Sequence, residues 1–446
     1  MSGNMTEGSI TPSLIKFTIP LVLGNLFQLT YNAADSIVVG KYLGDDALAA
    51  VGTAGPVMNL AILFISGMCM GAGIIMSQMY GAGKNDRLEK QISTTLIGGL
   101  IFSVIVSVLA VCLATPILWL IQVPEDISSI ATSYLRVIFL GLIFTFIYNF
   151  FSNTLRALGD SKTPLYFLII SSVLNILGDI FFVVVLGLGV RGCATSTVIS
   201  EALCCIFCGI YVKKRVPLLC LGKKWRIFEK SLLAKTVKYS ITSATQLMCV
   251  QLGKILVQCV VNTKGVDYMA AFTVINRIDD FAMTVQQNIA HAMTTFIAQN
   301  KGAKKPERMR SGFKCGMMME MCYSMAVFII TFFGADTIVK IFVKADSTNV
   351  INLGVSYLIP ISVMYFLPGI TNGVQGFFRG IGDLKVTLIS TITNMGFRAA
   401  FAFLFIGIAG FGFSSLAYAN MLGWFAMMAF ELPLLIKILR GNQKLC

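Results

Sequence analysis

The chain has 446 residues, 56% of them apolar and only 13% charged, with a mean hydropathy of +0.79. Soluble domains carry about 25% charged residues, so a water-soluble body of this size is excluded. The net charge of +14 comes from 35 Lys and Arg against 21 Asp and Glu. These charges sit in short runs between apolar stretches of roughly 20 residues or more, the length of a membrane-crossing helix.

Twelve spans are predicted, over 14–40, 47–80, 91–115, 129–155, 164–188, 192–212, 232–261, 267–299, 310–333, 350–378, 386–407 and 412–439. The alternating ten-residue segments of a membrane barrel are not seen. The opening residues are polar and the first apolar stretch outruns a signal-peptide core, so a retained helix is expected. When the connections are numbered alternately, one side carries 26 of the 35 cations and the other five, with four inside helices. That split follows the positive-inside rule and places both termini in the cytoplasm. The excess charge therefore describes topology in a lipid bilayer, and no nucleic-acid partner is expected.

In the first span Pro20 removes a backbone hydrogen bond, so a kink or hinge is expected. Beyond it Asn25, Gln28, Asn32 and Asp35 recur at spacings of 3, 4 and 3, which puts four polar side chains on one helix face. The fifth span repeats the device with Ser172, Asn175 and Asp179. A carboxylate buried beside another carboxylate and amide oxygens either holds a proton or shares an oxygen-coordinated cation such as Na⁺. Cys204, Cys205 and Cys208 lie in an apolar helix with no second cluster, so they read as small hydrophobes. The seventh and tenth spans carry Gln246, Gln251, Lys254, Gln258, Asn372 and Gln375, and no carboxylate. The eighth has the stripe Asn276, Asp280, Thr284, Gln287 and His291, the last being the chain's only histidine. Arg398, Lys254 and Arg277 are expected to pair with Asp279, Asp280 or Glu320, because isolated charges in lipid are costly.

The chain repeats itself. Gly44-Asp45-Asp46-Ala47-Leu48-Ala49-Ala50 matches Gly265-Val266-Asp267-Tyr268-Met269-Ala270-Ala271 at a shift of 221. Arg156-Ala157-Leu158-Gly159-Asp160 matches Arg379-Gly380-Ile381-Gly382-Asp383 at 223. The implied fold is an all-α polytopic membrane protein with two pseudo-symmetric six-helix lobes, 1–212 and 232–446, joined by a basic cytoplasmic linker, 213–231. Six helices per half makes the repeats parallel, an arrangement found in alternating-access transporters.

These motifs, with Gln78-x-x-Gly81-Ala82-Gly83 and Asn175-x-x-x-Asp179, resemble the MATE family (multidrug and toxic compound extrusion). The lack of carboxylates in the seventh and tenth spans is similar to its DinF-like branch. The resemblance implies a V-shaped pair of lobes and an antiporter in the cell membrane. Such a protein exports amphipathic, often cationic small molecules in exchange for H⁺ or Na⁺. It also implies ion coupling at Asp35, Asn175 and Asp179, joined by Thr197 from the sixth span. The substrate cavity is expected to involve Asn25, Gln28, Asn32, Gln246, Asn276, Asp280, Gln287, His291, Asn372 and Gln375. A monomer with no cofactor and no structural metal is expected. The runner-up is a flippase for a lipid-linked sugar or cell-wall precursor, from the same superfamily. An enzyme is disfavoured, because none of the usual hydrolase motifs is present.

Overall fold

The computed structural model describes residues 4–216, 218, 227–343 and 347–441, apart from the side chains of residues 32–34 and 45. Its long helices are α1 (Ile10–Leu43), α2 (Asp45–Gly81), α3 (Asn85–Leu120), α4 (Glu125–Ala157), α5 (Lys162–Asp179) and α6 (Gly189–Arg215). They continue as α7 (Lys230–Asn262), α8 (Val266–Gly302), α9 (Pro306–Phe333), the short α10 (Ala335–Phe342), α11 (Thr348–Met364), α12 (Phe366–Ile381), α13 (Leu384–Ala402) and α14 (Ser415–Arg440). Among the described residues ten helices are long and apolar enough to cross a membrane, and the pair α11–α12 makes an eleventh. The polar stripe keeps the 37-residue α8 out of that set. The predicted span 350–378 needs one correction: it is broken near Tyr365 and bent by 49°.

The repeat is visible in the backbone. Left-handed backbone recurs at Gly44 and Gly265, Gly83 and Lys304, Gly159 and Gly382, and Gly187 and Gly410. Each pair is separated by 221 or 223 residues. A π-helical turn follows α5 at Ile180–Val185 and another follows α13 at Phe403–Ile408, again 223 apart. The Arg-x-x-Gly-Asp motif has a plain role in the first half. Gly159 turns the chain, and Asp160 then caps α5 by accepting from the Lys162 and Thr163 amides at 3.1 and 3.0 Å.

Contacts divide the chain into two units. The first comprises Met1–Asn4 and Ile19–Ala244, and within it α4 packs against α2, α3 and α6. Leu135, Phe139, Leu142 and Phe150 of α4 lie in its core. Small residues bring helices together here: a Cβ on Gly67 would lie 2.5 Å from Ala244 Cα, and one on Gly71 2.5 Å from Tyr239 O. Ser240 donates to Met68 O at 2.7 Å. These contacts hold the first part of α7 to α2.

The second unit comprises Met5–Thr18 and Thr245–Cys446, with α8, α9 and α12 closely packed. Gly369, Gly373, Gly376 and Gly380 form one face of α12, where any Cβ would collide with α8 or α9. The N-terminal segment joins this unit through hydrogen bonds. The Arg308 guanidinium donates to Met5 O, Gly8 O and Glu7 O, and Lys305 Nζ donates to Thr6 O at 2.9 Å. The repeat-related helices α1 and α7 thus each contribute to both units.

Candidate functional site

In the first unit, α1, α5 and α6 bring Asp35, Asp179 and Cys193 together, with one ligand atom from each within 4.8 Å of the others. Helical spacing explains the placement. Asp179 lies one turn beyond Asn175, and Cys193 one turn before Thr197. Asn175 Nδ2 donates to Thr197 Oγ1 at 3.2 Å, and Ser196 Oγ donates to Asn175 O at 2.8 Å. Gly178 lets α5 meet α6, since a Cβ there would overlap Ser196 Oγ. The π-helical turn begins at the residue after Asp179, and such turns recur at functional sites.

The chemistry is dominated by acceptors. Asp179 is fully buried, and among the described residues neither of its oxygens has a donor in good hydrogen-bond geometry, although Asp35, Ser196 and Cys193 lie close enough to interact with it. One oxygen of Asp35 and Asn175 Oδ1 are buried in the same condition. Buried acceptors without donors are costly, and a proton on one carboxyl or a small hard cation beside the two carboxyls lowers that cost. Oxygen donors suit Na⁺. The Cys193 thiol adds only a weak ligand beside them.

The other predicted residues fall in several places. Asn25 is half-buried and Gln28 exposed on α1, while the Asn32 side chain lies outside the described residues. Pro20 is buried inside a continuous α1, two residues beyond Thr18, where the helix passes from one contact unit to the other. Gln246 and Gln375 are buried partners: Gln246 Nε2 donates to Gln375 Oε1 and to Thr391 Oγ1, each at 3.1 Å, and Arg379 joins them. Asn276, His291 and Asn372 are half-buried and Gln287 is exposed. Asp280 forms an ion pair with Lys254 at 2.6 Å. Of the other expected pairings, Arg398 acts on Asp279. The Glu320 oxygens have no partner among the described residues, and Arg277 is exposed.

The second unit builds something different at the equivalent place. Counted 223 residues on, Arg398 stands for Asn175, Asn420 for Thr197 and Ala402 for Asp179. Tyr134 donates to Met58 Sδ at 3.7 Å, whereas its counterpart Tyr357 donates to Asp279, 3.2 Å away. Tyr365 also donates to Asp279, and Asn420 donates to Tyr357 at 2.6 Å. Asp279 is therefore supplied with donors, unlike the Asp35–Asp179 pair, whereas the buried Glu320 and Glu431 of this unit have no hydrogen-bond partner among the described residues.

The MatE family model matches residues 20–181 and again 243–404, two copies displaced by 223. The chain belongs to the MatE family. This MatE protein is 29% identical over 410 residues to the "Probable multidrug resistance protein YoeA" of Bacillus subtilis, covering 90% of this chain and 88% of that one. It is 22% identical over 396 residues to the "Probable multidrug resistance protein NorM" of Thermotoga maritima, covering 86% and 83%. A solved structure described as the outward-facing conformation of a multidrug resistance MATE family transporter shares its fold. The TM-score is 0.92 at 22% identity, over 99% of both chains. As a MatE chain it is a multi-pass membrane transporter rather than an enzyme.

The sequence reading missed Cys193 and Ser196, which lie one turn and one residue before Thr197. The available signal was the face of α6: one turn of helix on either side of Thr197 leads to Cys193 and to Glu201.

Proposed function

We propose that this protein is a secondary-active antiporter of the cell membrane, with both termini cytoplasmic. It exports amphipathic, often cationic small molecules in exchange for H⁺ or Na⁺, and coupling resides at Asp35, Asp179, Asn175 and Thr197. The observation that carries this reading is the set of buried oxygens on Asp35, Asn175 and Asp179 that lack donors. Two carboxylates this close cannot both remain ionised cheaply in a low dielectric, so one takes a proton or a cation bridges them. Loading and unloading that ion biases which face of the membrane the protein opens to. The relatives' names favour small-molecule export over the lipid-precursor flippase. The test is efflux of a cationic dye from proteoliposomes under separately imposed Na⁺ and proton gradients. One gradient should drive uphill transport in the wild type and fail to do so in Asp35→Asn. Transport that ignores both gradients would refute the reading.

A further inference from the structure

Glu201 is a third intramembrane carboxylate in the first unit, outside the Asp35–Asp179 pair. It lies on α6 one turn beyond Thr197, in the direction of the basic end Lys213–Arg215. Thr145 of α4 donates to its Oε2 at 2.6 Å. Tyr31 of α1, one turn from Asp35 in the same direction, interacts electrostatically with Asp35, with Glu201 and with Tyr148 of α4. Tyr148 in turn faces Arg156, at the basic end of α4. Three helices therefore step from the Asp35–Asp179 pair towards the basic side of the molecule, and each contributes one hydroxyl or carboxyl to the series. The other titratable neighbours of Glu201 are Cys204 and Cys205 on its own helix. Among the described residues no lysine or arginine acts on it, so none of them holds it as a structural ion pair.

We propose that Glu201 is the exit station for a coupling proton, with Tyr31 as the bridge between it and the Asp35–Asp179 pair. This rests on the reading of that pair as the coupling site, and it commits the ion to H⁺. The Asp35 carboxyl gives its proton to the Tyr31 oxygen, directly or through a water, as the Tyr31 hydroxyl gives its own to the Glu201 carboxylate. One O–H bond breaks for each that forms, and Tyr31 ends neutral. Glu201 then releases the proton to the basic, cytoplasmic side. A chain of hydroxyls and carboxyls suits a proton, because it supplies one or two oxygens per step where Na⁺ needs a full shell.

The experiment uses the full-length protein in vesicles, with ethidium as substrate and an internal pH dye. In Glu201→Gln, pH-driven uphill efflux and ethidium-coupled proton movement should fall by about tenfold or more. Ethidium exchange at equal pH on both sides, which needs no net proton release, should stay near wild type. Thr145→Val should fall part of the way, and Glu201→Asp should recover part of the loss. Glu201→Gln with wild-type efflux and proton movement would overturn the proposal. So would an equal loss of exchange and efflux in both Glu201→Gln and Thr145→Val, which would make Glu201 a substrate-holding or structural group. Asp35→Asn, run alongside, separates these outcomes from a failure of the coupling reading itself.

Discussion

Arg398 occupies in the second half of the chain the place that Asn175 occupies in the first, each five residues before a π-helical turn. The two halves began from one design and diverged in charge. In the first unit an amide stands beside acceptors that lack donors. In the second, a guanidinium acts on Asp279, which two tyrosines already supply with hydrogen bonds. On the proposed reading, the Asp35–Asp179 pair of the first half is the place for an exchangeable ion, and Asp279 of the second half, with its nearby guanidinium, is not.

If Arg398 is the permanent counter-charge of Asp279, Arg398→Met should destabilise the protein by roughly 1–3 kcal/mol, the usual cost of stripping a buried polar group of a partner. Asp279→Asn in the same chain should restore much of the loss, because both charges then disappear together. Thermal unfolding in detergent measures both variants. Two losses that simply add would mean that the residues do not interact.

The approach of α5 to α6 sets the geometry of the Asp pair through Gly178. Gly178→Ala places a methyl on Ser196 Oγ, so the helices must separate. Uphill efflux should drop sharply with expression retained, and adding Ser196→Ala should recover part of it by making room. Full activity in Gly178→Ala alone would show that the site tolerates a wider helix spacing.

Much of this was legible in the sequence, for a physical reason. Polar residues are rare in lipid-spanning helices, so the spacing of Asn25, Gln28, Asn32 and Asp35, or of Ser172, Asn175 and Asp179, is visible against an apolar ground. Spacing shows only which residues share a face, not what that face meets. Gln246 and Gln375 look like cavity residues on that ground, and the fold adds that Gln246 Nε2 donates to Gln375 and Thr391 in a buried network. Cys193 and Ser196 carry too little polarity to stand out, and their importance emerges only when α5 and α6 are brought together. The break at Tyr365 was hidden because the apolar run continues through it.

The polar stripe of α8 contains His291 but lies in the second unit, away from the proposed coupling residues Asp35, Asn175, Asp179 and Thr197. His291→Gln should leave gradient-driven efflux largely intact, with changes confined to the affinity for particular substrates. Loss of ion dependence with substrate binding preserved would move the coupling to the second unit.

Orientation is checked by labelling. Single cysteines at Lys84 and Lys304, one at the end of each repeat's second helix, should both react only from the cytoplasmic side, and one at Asp126 only from outside. Lys223, Lys344 and Lys444 lie outside the described residues; labelling is expected to find Lys223 and Lys444 inside and Lys344 outside. Lys84 and Lys304 on opposite faces would contradict the parallel six-plus-six arrangement.

The most direct test of the account is the pair Asp35→Asn and Asp179→Asn in proteoliposomes. Each replacement removes one charge while nearly conserving volume, so it probes electrostatics rather than packing. Both variants should insert and fold, bind a neutral substrate better than a cationic one, and lose uphill transport under any imposed ion gradient. Near-wild-type, gradient-dependent efflux by either variant at normal expression would contradict the account and leave Asp35 and Asp179 as polar contacts between helices.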